Sequence, residues 1–198
     1  MYKLKIIIGS TRPGRKGAAI ANWIFDIAKQ HREFETELVD LAEINLPFLD
    51  EPHHPILQKY EHQHTKDWSS LINGADAFIF VSPEYNYGYS APLKNAIDYL
   101  FKEWQYKPVA FVSYGGVAAG TRAVQAIKQV VTALKMVPVT EAVNIPFFTK
   151  YINEDEIFTG DAAMEATANS MMTELLKWAE ALKPLRANNM TKIKKEAA

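Results

Sequence analysis

A chain of 198 residues, 48% hydrophobic and 12% aromatic, has the material for one domain that buries roughly 70% of its unfolded surface, so disorder is excluded for the bulk of it. Lysine plus arginine (22) nearly cancels aspartate plus glutamate (23), which leaves no broad field to attract nucleic acid or an anionic membrane. Cysteine is absent, which excludes disulfide scaffolds, iron–sulfur clusters, zinc–thiolate sites and thiol catalysis.

Lys3 to Ile8 ends in Ile6-Ile7-Ile8 before Gly9, the pattern of a strand buried on both faces. Ile20, Trp23, Ile24, Ile27 and Ala28 then fall at i, i+3, i+4, i+7 and i+8, the stripe of an amphipathic helix beginning near Ala18. Lys29, His31 and Arg32 follow, where the helix dipole favours positive charge. Glu35 to Leu41 alternates and predicts a second strand near a sheet edge. Residues 42–64, with Pro47, Pro52, Pro55 and four of the five histidines, fit no period and predict a long loop. Thr65 is expected to cap a short helix that carries Trp68, Leu71 and Ile72 and stops at Gly74.

Ala77 to Val81 is the longest apolar run; it is far too short to span a bilayer and predicts a third buried strand. Pro92, placed where a first turn accepts it, opens a helix over Leu93, Ala96, Ile97, Leu100 and Phe101. Val109 to Val112 is a fourth strand, and Val124, Ile127, Val131 and Leu134 mark the next helix. Val137 to Ile145 reads as a fifth strand whose pairing Pro138 and Pro146 restrict. Met164, Ala168, Met171, Leu175, Ala179 and Leu182 build a final helix; after Pro184 the pattern stops, and residues 184–198 are expected to be a disordered tail. Five strands alternating with helices predict an α/β fold: one domain over residues 1–183, a doubly wound parallel sheet with helices on both faces. With neither a signal-peptide nor a transit pattern at the N-terminus, a cytoplasmic address is expected.

In an open α/β sheet, ligands bind outside the carboxyl ends of the strands, so the loops after strands 1, 3 and 4 are the candidate site. The first, from Gly9 to Gly17, holds Ser10, Thr11, Arg12, Arg15 and Lys16 with no carboxylate. It lies at a helix N-terminus, where free N–H groups and the dipole favour an anion. A phosphate fits, unless the glycines merely turn the chain and the cations are solvated. Neither a Walker A loop nor a Gly-x-Gly-x-x-Gly fingerprint is present, since Gly14 precedes Arg15-Lys16-Gly17 and Thr11 stands where the second glycine would.

The second loop, Pro83-Glu84-Tyr85-Asn86-Tyr87-Gly88-Tyr89, offers flat faces and amide hydrogen bonds to a planar polar heterocycle, or else tyrosines packed over the sheet end or in a subunit interface. In the third, Ser113-Tyr114-Gly115-Gly116, paired glycines let backbone N–H groups approach a ligand edge, with Tyr114 as a side wall. Together the three loops suit a phosphate at one end and a flat ring at the other, and the ligand reads as flavin mononucleotide (FMN). His53, His54, His62 and His64 have no rigid element beneath them. They read as surface or mouth-lining residues, and no metal site is expected.

With Gly-Ser-Thr-Arg at 9–12, Ser-Pro-Glu-Tyr-Asn at 82–86, Leu-Lys-Asn-Ala-Ile-Asp at 93–98 and Ser-Tyr-Gly-Gly at 113–116, the chain resembles the NADPH-dependent FMN reductase family across nearly all of residues 3–182. That resemblance implies a flavodoxin-like fold with strand order 2-1-3-4-5, bound FMN, and NADPH or NADH as cosubstrate. It implies that Ser10, Thr11, Arg12 and the backbone of Lys16, Gly17 and Ala18 hold the phosphate. Pro83 to Gly88 and Ser113 to Gly116 would take the two sides of the isoalloxazine. It also implies a homodimer or homotetramer with the helix from Leu93 in contact, and a ping-pong hydride transfer to a quinone, azo compound, metal ion or free flavin. No catalytic side chain is assigned, because the cofactor carries the redox chemistry. Many relatives have a serine and an asparagine where this chain has Gly17 to Ala19. A flavodoxin-type electron carrier is the alternative, but the basic loop and the net charge of −1 speak against it.

Overall fold

The structure, a computed structural model, describes the backbone of residues 1–196 and side chains through Ala187. In chain order the elements are β1 (Tyr2–Ile8), α1 (Gly17–Ala28), β2 (Phe34–Asp40), α2 (Leu41–Ile44), α3 (Gln63–Asn73), β3 (Ala77–Pro83), α4 (Ala91–Asp98), β4 (Pro108–Gly115), α5 (Thr121–Ala133), β5 (Val137–Pro146) and α6 (Ala162–Glu196). All strand pairs are parallel, in the order β2-β1-β3-β4-β5. This is the flavodoxin-like arrangement that the family resemblance implied.

The unbroken apolar strands follow from two covered faces. Phe78 and Phe80 of β3 and Val109 and Phe111 of β4 point into a core under α3, α4 and α5. Ile79, Val81, Ala110 and Val112 point into the core under α1 and α6. The first of these is aromatic, with Trp104 packed against Phe78 at 5.1 Å and against Trp68 and Phe80 at 6.2 Å. Both indoles spend their N–H on the end of α4: Trp68 donates to the Ala96 carbonyl (2.8 Å) and Trp104 to that of Ile97 (3.1 Å). Two carbonyls near the end of α4, where helical partners run out, thereby gain side-chain donors, and that of Ile97 also accepts from the Leu100 N–H (3.3 Å).

The structure departs from the sequence pattern in three places. Residues 42–64 contain more order than their composition suggests: α2 is capped by Asp40, which accepts from Ala42 N–H at 2.9 Å, and Pro55–Leu57 forms a 3-10 turn. Next, α3 starts at Gln63 with His62 as its cap residue, so Thr65 is a buried first-turn residue and not the cap. The distant Glu51 carboxylate accepts from the N–H of Glu61 (2.8 Å) and His62 (3.1 Å). Finally, α6 does not stop at Pro184 but continues helically to Glu196. Arg186, two residues past the proline, ties it down by donating to the carbonyls of Tyr106 (3.2 Å) and Ala179 (3.3 Å) and to Asp76 (3.0 Å).

β5 carries Pro138 and Pro146 because it is an edge strand; it pairs only with β4, with a register shift between Val109 and Phe111.

Candidate functional site

The loops after β1, β3, β4 and β5 converge at the carboxyl end of the sheet. They enclose a cleft of about 190 Å³ lined by Arg12, Arg15, Lys16, Pro83, Glu84, Tyr85, Tyr114, Gly115, Gly116 and Phe148. Eight of these are sequence-predicted site residues; Arg15 and Phe148 complete the wall. Phe148 comes from the segment after β5, and the rule that singled out the other loops would have found it.

The cations of the first loop are not equivalent. Arg15 forms a two-pronged pair with Asp40 (2.6 and 2.5 Å) and also donates to the Ser10 carbonyl (2.7 Å). The Asp40 bond raises the guanidinium pKa further; Asp40, despite burial that pushes it up, is held below the usual carboxylate range by the bonds from Arg15 and Ala42. Lys16 pairs with Glu156, from the turn between β5 and α6. Arg12 is exposed, and its side chain has no ion-pair partner among the described residues. The carboxylates missing from the loop's own sequence thus arrive from β2 and from a turn about 140 residues away. They leave one guanidinium for an incoming anion.

That guanidinium stands beside α1, whose first turn has no side-chain cap. Its N–H groups are the anion-binding feature of such a helix end. Gly17 opens the helix for a steric reason: a Cβ there would overlap Ser10 Oγ and lie 2.6 Å from Tyr114 Oη. Ser10 is fully buried, with its hydroxyl 3.1 Å from that of Tyr114, so it stands behind the cleft wall. Thr11 faces the other way, into a neighbouring cavity of about 460 Å³ lined also by Leu46, Phe48, Pro92 and Asn95. Ala18 is half-buried in the first turn of α1.

Across the cleft, Tyr85 and Gly88 exchange both backbone hydrogen bonds at 2.9 Å. Asn86 and Tyr87 between them are left-handed (φ +48° and +71°), a two-residue hairpin turn. The strain of a left-handed tyrosine, about 1 kcal/mol or more, is offset by Arg122, whose guanidinium stacks 3.8 Å from the Tyr87 ring and pairs with Glu84. This clamp holds an otherwise exposed tip, for Tyr87 is 70% exposed. On the third loop, Ser113 is structural: buried, it donates to the Ala119 carbonyl (2.8 Å) and lies 2.9 Å from Asn144 Oδ1. Gly116 is the opposite case, since a Cβ there would meet no protein atom within 4 Å. Protein packing does not require that glycine, and the space a side chain would take there is open.

The histidines are tied into the loop they occupy. His64 lies 3.0 Å from Asp50 Oδ1 and stacks on His62 at 5.2 Å, and His53 is 3.5 Å from Glu61. Among the described residues no group of three His, Asp or Glu converges as a metal would need.

Over residues 2–150 the chain matches the NADPH-dependent FMN reductase family. It belongs to that family. It is therefore an oxidoreductase with FMN as cofactor and NAD(P)H as reductant. An NAD(P)H-dependent FMN reductase of Schizosaccharomyces pombe is 43% identical over 171 residues, 83% of this chain and 82% of the relative. An NAD(P)H:quinone oxidoreductase of Solanum tuberosum is 30% identical over 189 residues, 89% of this chain and 90% of the relative. The solved flavoenzyme FerB, an NAD(P)H:acceptor oxidoreductase of Paracoccus denitrificans, shares the fold with a TM-score of 0.73 at 19% identity, covering 91% of this chain and 98% of FerB.

The cleft fits FMN on its own features: an uncapped helix end and a free Arg12 for the phosphate, and an open Gly116 opposite a fixed tyrosine-bearing turn for the ring edge. No helix among the described residues is long and apolar enough to cross a membrane.

Proposed function

We propose that this reductase works on a quinone-type acceptor, with the nicotinamide and the acceptor taking turns at the same cleft. When bound, FMN supplies a ring that accepts hydride from NAD(P)H and passes reducing equivalents to the second substrate. The observation that carries the reading is the division of labour in the cleft. One end offers an unpaired cation and free helical N–H groups, and the other a bare glycine backbone facing a clamped turn. The quinone oxidoreductase relative supports the acceptor class.

In this reading Arg12 and the N–H groups from Lys16 to Ala18 hold the phosphate. Arg15 and Lys16 keep the loop in shape through Asp40 and Glu156. Pro83 to Gly88 run along the ring, and the N–H groups of Asn86 and Gly116 are the donors for negative charge that develops on it. The chain would act as a homodimer or homotetramer in the cytoplasm; exposed Phe48 and Leu49, anchored beside α4 by Asn95 and Tyr99, offer apolar surface for assembly.

The test is steady-state oxidation of NADPH by the FMN-loaded protein with a benzoquinone as acceptor, varying both substrates. Parallel double-reciprocal lines are expected. Intersecting lines would refute alternation at one cleft, and no quinone-dependent oxidation would refute the acceptor class.

A further inference from the structure

The family resemblance places Ser10 among the residues that hold the phosphate, yet Ser10 is fully buried and does not line the cleft. The neighbour of its hydroxyl is Tyr114, only 4% exposed and part of the cleft wall beside Arg12 and Lys16. Tyr114 sits near the end of β4, level with Pro83 of β3 and Ile145 of β5. Its ring leans on Phe148 (5.0 Å, edge to face) within the core that carries α1. From there the side chain crosses beneath the first turn of α1, so close that a Cβ on Gly17 would lie 2.6 Å from its oxygen. The turn itself is Gly17-Ala18-Ala19 and contributes no hydroxyl.

We propose that the Tyr114 hydroxyl is a direct donor to the FMN phosphate, with Ser10 acting behind it as a positioning residue. Gly17 is the gap through which a hydroxyl from another strand reaches the helix end. The inference rests on FMN binding at this cleft and gives the third loop a task at the phosphate, beyond its backbone contribution to the ring.

The hydrogen bonding closes. Tyr114 now donates to Ser10 Oγ; rotation of the two hydroxyls lets Ser10 donate to Tyr114 and frees the phenol proton for a phosphate oxygen. Such a chain polarises the terminal donor. The phenol also stays protonated at any working pH, since burial pushes its pKa up to about 12. A neutral donor matters here because two of the three loop cations are already paired.

The experiment titrates the cofactor-free protein with FMN and with riboflavin, which has the same ring and no phosphate. It compares wild type, Tyr114→Phe and Ser10→Ala, with melting curves as a check on folding. Tyr114→Phe is expected to weaken FMN about tenfold, a typical loss for one hydrogen bond to a charged group, and to leave riboflavin unchanged within twofold. Ser10→Ala, which keeps the phenol, is expected to cost FMN only two- to threefold. Unchanged FMN affinity in Tyr114→Phe, an equal loss for both ligands, or a greater loss in Ser10→Ala than in Tyr114→Phe overturns the assignment. If wild type binds riboflavin and FMN equally, no phosphate site exists and the assignment falls with it. If wild type binds neither, the flavin reading itself fails.

Discussion

Two glycines at the mouth of the cleft exist for different reasons, and substituting each by alanine separates those reasons. At Gly17 a methyl group would overlap Ser10 Oγ and lie 2.6 Å from Tyr114 Oη, so both hydroxyls must retreat by about 1 Å to reach van der Waals contact. Neither retreats freely, because the Tyr114 ring is braced by Phe148 and the Ser10 carbonyl is held by Arg15. Overpacking of this kind costs about 1–3 kcal/mol, and the displaced hydroxyl pair about 1 kcal/mol more. The gain in helix propensity returns at most about 1 kcal/mol. The net expectation for Gly17→Ala is a loss of about 2 kcal/mol, or about 4–8 °C in melting temperature for a chain of this length.

Gly116→Ala meets no protein atom within 4 Å and should leave the cofactor-free stability within about 0.5 kcal/mol, or raise it slightly through the unfolded chain. Its methyl would instead stand where the ring edge must approach, so FMN affinity should fall about tenfold, the equivalent of 1.4 kcal/mol. Urea unfolding followed by circular dichroism, with flavin fluorescence quenching for affinity, measures both. A Gly17→Ala protein as stable as wild type would refute the packing argument. A Gly116→Ala protein that binds FMN normally would refute the place given to that loop.

Three other outcomes are expected. Arg12→Ala should weaken FMN by tenfold or more and flatten the salt dependence of binding, whereas Arg15→Ala, which strands Asp40, should lower stability by about 1–3 kcal/mol; titrations at two salt concentrations and urea melts distinguish them. Glu103 is 1% exposed and accepts from Gln58 (3.0 Å), Tyr60 (2.9 Å) and Ser69 (2.7 Å), so Glu103→Ala should cost about 3 kcal/mol in urea unfolding. Lys107 donates to the Ile72 and Asn73 carbonyls, and burial pushes its pKa down from 10.5 to about 7. Between those values the unfolded chain keeps a proton that the folded chain has released. Stability should therefore rise with pH from about 7 to 9.5, by less than about 1.4 kcal/mol per unit, and Lys107→Met should flatten that rise.

What the sequence made legible was local. Buried strands announced themselves as apolar runs, the helices as 3.6-residue stripes, and the β3 loop through its tyrosines and Asn86. The strand order was not visible in any one element and came from family resemblance. What escaped depended on partners far apart in sequence: Asp40 and Glu156, which neutralise Arg15 and Lys16; Glu51, which orders the start of α3; and Arg186, which carries α6 past Pro184. Ser10 shows the same dependence on a distant residue. Its place in the loop suggests a ligand contact, and its buried hydroxyl is bonded to Tyr114, a hundred residues on.

The measurement that tests the account most directly is an anaerobic visible spectrum of the protein reconstituted with FMN, freed of excess cofactor by gel filtration, before and after NADPH is added. The account predicts that flavin absorbance is retained through the column and bleaches on addition of NADPH. Flavin lost on the column, or absorbance that persists until dithionite is added, would contradict it.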